Sequence, residues 1–245
     1  MRYSLQWIRS LIFNINMYLA MPVLGVIFFP YALASREGAV TACKTYCRWV
    51  RWTASWMIGL KTEIRGEIPT GEVLIAAKHQ SFFDVIVLYG TIPRAKFIMK
   101  SLLIYAPVIG LYALRIGCIP VNRGKRGAAI EKMLRDVESG AADPGQLVIY
   151  PQGTRVAPGA FKPYKIGTFV LYEQLKQACV PVALNVGVFW PRRGVYRSPG
   201  TVVMEFLDPI EPGLEKKEFL EQLESMIETR SNALMADAGY AAKEV

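Results

Sequence analysis

From residue 61 onward the chain alternates between two textures. Short apolar runs are bounded by Gly, Pro or polar clusters, and longer stretches repeat an apolar residue every three or four positions. The first texture predicts strands and the second helices. Strands are expected at 62–66, 72–77, 96–99, 116–121, 146–150, 180–186 and 201–207. Helices are expected near 82–91, 101–114, 125–139, 165–178 and 215–236. Such alternation predicts an α/β fold with a mixed, largely parallel sheet flanked by helices. In the last helix Phe219, Leu220, Leu223, Met226 and Ile227 read as a core-facing stripe, and no chemistry is assigned to it. No internal repeat or long linker divides 61–245, which reads as one domain.

Before residue 61 the pattern changes. Residues 10–35 carry no charge, and at about 1.5 Å per residue they suffice to cross a hydrocarbon core of about 30 Å. Pro22 and Pro30 interrupt the run, so a kinked or re-entrant helix stands beside a straight span as a reading. Arg2 and Arg9 before it and small residues at 32–35 after it imitate a signal peptide, but the run exceeds the usual length of about 7–15 residues. Over 43–60, Lys44, Arg48 and Arg51 fall on one helical stripe, and Tyr46, Trp49, Trp52, Trp56 and Leu60 on another. An amphipathic helix on a core is the plain reading, yet three tryptophans beside a basic stripe fit a headgroup interface better. Residues 1–60 are therefore expected to form a membrane-embedded helical hairpin. Basic residues flank the apolar run on both sides, which favours the cytoplasmic side for both ends. A re-entrant hairpin satisfies that bias and a single span does not.

Charge narrows the partners. With 29 Lys and Arg against 20 Asp and Glu, the net charge of +9 points to a nucleic acid, a phosphorylated substrate or an anionic membrane surface. The aromatics gather in the apolar N-terminus instead of interleaving with a basic groove, which argues against nucleic acid. Cys43, Cys47, Cys118 and Cys179 form no CxxC pair, and with a single histidine no metal site is expected.

That histidine, His79, lies in KHQSFFD, five residues before Asp84. Five residues on one helix differ by about 140° in direction, so the two side chains meet only if His79 ends a strand loop and Asp84 opens the next helix. There the Asp would fix the imidazole tautomer, and the other ring nitrogen would accept a proton. Alone, the pair is a weak pattern, since a structural histidine is the commoner case. Two more polar stretches also follow expected strands: YPQGTR at 150–155, and IPVNRGKRG at 119–127 with Arg123, Lys125 and Arg126. Arginine suits bidentate phosphate binding, so three such loops together indicate a phosphate pocket. Neither a GxSxG elbow nor a P-loop nor GxGxxG is found, so the activated hydroxyl is read as the substrate's, with direct group transfer.

These blocks resemble the 1-acyl-sn-glycerol-3-phosphate acyltransferase family: HQSFFD as HxxxxD, GCIPVNRG as the second block, YPQGTR as the third and CVPVALNVG as the fourth. The resemblance covers about 61–210 and makes 61–245 the catalytic domain. It implies transfer of a fatty acyl group from an acyl carrier protein or coenzyme A thioester to the sn-2 hydroxyl of lysophosphatidate, giving phosphatidate, with no cofactor. His79 is implied as general base and Asp84 as its orienting partner. Arg123, Gly153, Thr154 and Arg155 are implied to bind the acceptor phosphate, and Gln152 and Lys100 to support it. A place at the cytoplasmic face of a bacterial inner membrane follows from the same likeness. The alternatives are another lyso-lipid acceptor, such as lyso-ornithine lipid, and a catalytically silent membrane-binding protein. One position departs from the family pattern: its third block has Glu where this chain has Gln152. Gln keeps the size and can brace the loop through its amide, so Gln152→Glu is expected at this stage to leave turnover within about tenfold.

Overall fold

The computed structural model describes residues 2–121, 131, 135 and 145–241. Its first three helices are α1 (Arg2–Ile27), α2 (Phe29–Ala34) and α3 (Arg36–Met57). Strands and helices then alternate: β1 (Leu60–Arg65), β2 (Leu74–Ala77), α4 (Phe83–Thr91), β3 (Ala95–Lys100), a 3₁₀ turn (Ser101–Tyr105), α5 (Ile109–Arg115) and β4 (Ile119–Val121). After β5 (Gln146–Ile149) come α6 (Gly167–Leu175), β6 (Cys179–Leu184), the short α7 (Val186–Phe189), β7 (Gly200–Phe206) and α8 (Lys216–Asp237).

The described strands form a seven-stranded sheet in the order β1-β7-β6-β2-β5-β3-β4. Every pairing is parallel except β6 with β7. All residues of β2 and β6 are buried, as expected of central strands covered on both faces. Alternation along β2 divides the core. Ile75 and Ala77 join Phe13, Val50, Ile58 and Phe83 on one face, while Leu74 and Ala76 join Phe169, Tyr172, Phe219 and Leu223 on the other.

The N-terminal helices fold back on one another as a hairpin. Contrary to the expected interruption, α1 continues through Pro22. Pro30 sits in the first turn of α2, where a missing N–H has no intrahelical acceptor anyway. The reversal occurs at Ser35, whose hydroxyl accepts the Gly38 N–H at 3.0 Å. A Cβ at Gly38 would lie 2.3 Å from the Tyr31 carbonyl oxygen, so only glycine lets α3 start so close to α2. On the return path Trp49 donates to Asn16 at 3.1 Å, and Arg9 donates to the carbonyls of Met57 and Trp56 at 2.5 and 3.2 Å. Arg9 thereby satisfies two orphan carbonyls at the end of α3. The inner face of the hairpin (Phe13, Met17, Val50, Ile58) belongs to the same core as the sheet. Its outer face leaves Ile12, Tyr18, Leu19, Val26, Trp52 and Trp56 exposed.

The helix expected over 101–114 is divided instead. Pro107 cannot donate to a continuing helix and holds Ala106 extended, so a 3₁₀ turn and α5 replace a single rod. Both expose apolar residues, with Leu102 at 75% and Tyr105 at 78%. The helix expected near 125–139 falls almost wholly outside the described residues.

Candidate active site

Four neighbouring parallel strands, β2, β5, β3 and β4, present their carboxyl ends along one edge of the sheet. Open α/β sheets bind ligands at such edges. His79 lies just past β2, Tyr150 to Arg155 follow β5, and Lys100 is the last residue of β3. Val121 ends β4; Arg123, Lys125 and Arg126 lie outside the described residues.

His79 and Asp84 meet across the turn between β2 and α4. The imidazole Nδ1 stands 2.9 Å from Asp84 Oδ2, and that oxygen also accepts the backbone N–H groups of Gln80 at 2.6 Å and Ser81 at 2.8 Å. Asp84 occupies the first turn of α4, where unpaired N–H groups and the helix dipole favour a carboxylate. Because a carboxylate oxygen only accepts, Nδ1 carries a proton, and in the neutral ring the lone pair is therefore on Nε2. Asp84 is completely buried, whereas the His79 side chain remains 16% exposed. The ring is also clamped flat against Tyr150, with centroids 3.9 Å apart and planes 18° from parallel. Burial, with the charge of Asp84 adding to it, pushes the Tyr150 hydroxyl well above its ordinary pKa, so it stays protonated.

The loop after β5 is tied to the histidine loop, since Val156 N–H donates to the His79 carbonyl at 2.8 Å. Its turn closes through Gly153 N–H to the Tyr150 carbonyl, also at 2.8 Å. Gly153 has φ +65°, a conformation that side chains disfavour. Thr154 and Arg155 are half-buried. Among the described residues the Arg155 guanidinium has no hydrogen-bond or ion-pair partner. Lys100 is exposed at the end of β3, beside β5. His79, Asp84 and residues 152–155 therefore occupy two hydrogen-bonded loops, with Lys100 on the next strand.

Gln152 is buried, and its amide donates to the Lys162 carbonyl at 3.1 Å and, weakly, to Glu228 Oε1 at 3.4 Å. Glu228 is the participant that the sequence reading passed over, because α8 read only as a core-facing helix. The available signal was Lys78, a cation between an apolar strand and His79 that needs a counter-charge wherever it is buried. Among the described residues no three His, Cys, Asp or Glu side chains gather closely enough to hold a metal ion.

The family model for acyltransferases matches residues 60–185. The chain is 26% identical over 203 residues to the 1-acyl-sn-glycerol-3-phosphate acyltransferase of Pseudomonas aeruginosa, covering 81% of this chain and 79% of that one. It is 26% identical over 163 residues to 1-acyl-sn-glycerol-3-phosphate acyltransferase alpha of Mus musculus, covering 64% and 57%. The Saccharomyces cerevisiae 1-acyl-sn-glycerol-3-phosphate acyltransferase is 27% identical over 192 residues, covering 75% and 63%. The chain thus spans about three-fifths of the mouse and yeast relatives. Among solved structures, the 1-acyl-sn-glycerophosphate (LPA) acyltransferase PlsC from Thermotoga maritima superposes with a TM-score of 0.80 at 16% identity, over 96% of this chain and 100% of that one. At that identity the superposition speaks for the fold.

Proposed function

The chain belongs to the acyltransferase family, and from that premise we propose that it acylates the sn-2 hydroxyl of lysophosphatidate from an acyl thioester to give phosphatidate. The observation that carries this reading is the His79–Asp84 pair at the strand-end edge, with the imidazole partly exposed and its tautomer set by a buried carboxylate. His79 Nε2 takes the proton from the acceptor hydroxyl while the hydroxyl oxygen bonds to the thioester carbonyl carbon. The carbon–sulfur bond then breaks, and the imidazolium returns the proton to the departing thiolate. Asp84 holds the ring and stabilises the imidazolium. Arg155 and Lys100 present cations to the acceptor phosphate, and the family resemblance adds Arg123 to them. Acyl carrier protein or coenzyme A serves as donor carrier.

The reaction takes place at a membrane, because acceptor and product are both lipids. α1 supplies a helix over Tyr3–Ile27 long and apolar enough to cross one. The exposed side chains of the 3₁₀ turn and α5 add a second apolar surface. Since the hairpin brings Gln6 back to Ile58 (3.0 Å), both of its ends share one side. We place that side at the cytoplasmic face of a bacterial inner membrane, where the thioester donors are made.

The test is acyl transfer by purified protein in detergent, from acyl carrier protein and coenzyme A thioesters to lysophosphatidate and to lyso-lipids lacking a phosphate monoester. His79→Ala should cost about 10²–10⁴-fold in turnover with its thermal melt retained. A folded wild type that acylates only other lyso-lipids would change the acceptor. Undiminished transfer by His79→Ala would remove His79 as the base.

A further inference from the structure

Lys78 follows β2 directly, and its side chain is only 2% exposed. A buried ammonium is tolerated only when a counter-charge is close. Both carboxylate oxygens of Glu228 lie 2.5 Å from Lys78 Nζ. Glu228 projects from α8 beside the buried Ile227, and its Oε1 also accepts the Tyr164 hydroxyl at 2.9 Å and the Gln152 amide at 3.4 Å. One carboxylate therefore takes donors from the residue before His79 and from the loop that carries Arg155. Other contacts of α8 reach the same edge: Met235 Sδ accepts from Gln80, and Ser231 accepts the Leu184 N–H.

We infer that Glu228 is a positioning residue for acyl transfer, tying the His79 loop to the Arg155 loop, and that the neutral amide of Gln152 is its matched partner. The inference rests on the acyl-transfer reading above. Gln152 must donate, since it faces the Lys162 carbonyl on one side and Glu228 on the other. A carboxylate at 152 can donate to neither, and it would set two carboxylates against one ammonium. One would have to take up a proton or withdraw, and the second option moves the loop holding Arg155. The carboxylate that Gln152 does not supply is thus delivered from α8. This changes the expectation for Gln152→Glu, which looked mild while its surroundings were unknown.

The experiment compares full-length Gln152→Glu, Glu228→Gln and the double swap with wild type, separating kcat from the KM for lysophosphatidate and recording thermal melts without substrate. Each single substitution should lower kcat/KM by about ten- to a hundredfold, and the double swap should return to within about tenfold of wild type because one carboxylate again serves one ammonium. Tyr164→Phe, which removes one donor and no charge, should cost about threefold. If Glu228→Gln does not fold, Gln152→Glu and Tyr164→Phe still decide the matter. Additive losses, a wild-type-like Gln152→Glu, or losses that vanish when each variant is assayed equally far below its own melting point would overturn the inference. Failure of the acyl-transfer reading is separate and visible first, as a folded wild type that does not acylate lysophosphatidate. Coupling confined to the melts would then leave a structural ion pair and no positioning role.

Discussion

The two hydrogen-bonded loops of the site are built to opposite plans. On the His79 side the ring is fixed from two directions: one Asp84 oxygen receives three donors, the imidazole among them, and the ring is stacked on Tyr150. On the Arg155 side the guanidinium is half-buried and without a partner among the described residues, and Lys100 is exposed at the end of β3, the strand next to β5. The loop itself is closed and braced, while its cation is left uncommitted. A group that transfers protons works best when its orientation is fixed before substrate arrives. A group that binds a phosphate gains most when no internal partner must first be displaced. Damage to the first side should therefore appear in kcat, and damage to the second in the KM of an anionic acceptor.

The sharpest way to break that contrast is Asp84→Asn. The amide keeps the size and can leave its oxygen toward the three donors, but it removes the negative charge that stabilises the imidazolium and buries an NH₂ where Asp84 Oδ1 has no partner. Turnover should fall by about 10²–10⁴-fold, with the KM for lysophosphatidate changing far less. A rise in KM with kcat intact would show the two sides to be one unit. Next in size is Arg155→Lys, which keeps the charge and loses the planar fork. We expect kcat/KM for lysophosphatidate to drop about ten- to a hundredfold, and the rate with an acceptor lacking a phosphate monoester to change little. An equal loss with both acceptors would remove Arg155 from phosphate recognition.

Gly153→Ala probes the closed turn beneath Arg155. A Cβ there would meet Lys165 Nζ at 2.8 Å, the flexible end of a side chain that can give way, so the strain lies mainly in φ +65°. The cost is about 1–3 kcal/mol of stability, read as a lower thermal melt, with a several-fold rise in acceptor KM. An unchanged melt and KM would mean that the turn relaxes freely.

Much of this architecture was legible, and the exceptions have more than one physical cause. All seven described strands fall where they were expected, and the central β2 and β6 most directly, because a strand buried on both faces writes its environment into sequence as an apolar run. The spacing of His79 and Asp84 was readable because their meeting needed only a local turn. Part of what escaped is local, as where Pro107 divides 101–114, and part depends on partners distant in sequence. Pro22 stands within a continuous α1, although prolines usually mark breaks. Glu228 looked like any surface acid, since its partners Lys78, Gln152 and Tyr164 lie 64 to 150 residues away along the chain. Periodicity shows which face of a helix is buried, but it does not show which residue across the site will need its charge.

The smallest predicted effect tests the stacking contact between the two loops. Tyr150 presses its ring against His79, while its hydroxyl is buried and has no hydrogen-bond partner. If the ring alone matters, Tyr150→Phe keeps the clamp and removes an unsatisfied polar atom, so activity should stay within about twofold and stability should hold or rise by about 1 kcal/mol. Alkaline behaviour gives a second readout. With the folded-state pKa of Tyr150 raised by burial and by Asp84, its contribution is intact below the unfolded value of about 10 and is lost as pH climbs beyond it. The Phe variant should therefore lose less stability above about pH 10 than wild type does, with the neutral-pH rate unchanged. A tenfold loss of turnover at neutral pH would instead make the hydroxyl a working part of the His79 side, joining the loop after β5 to the proton-transfer machinery and ending the division of labour described above.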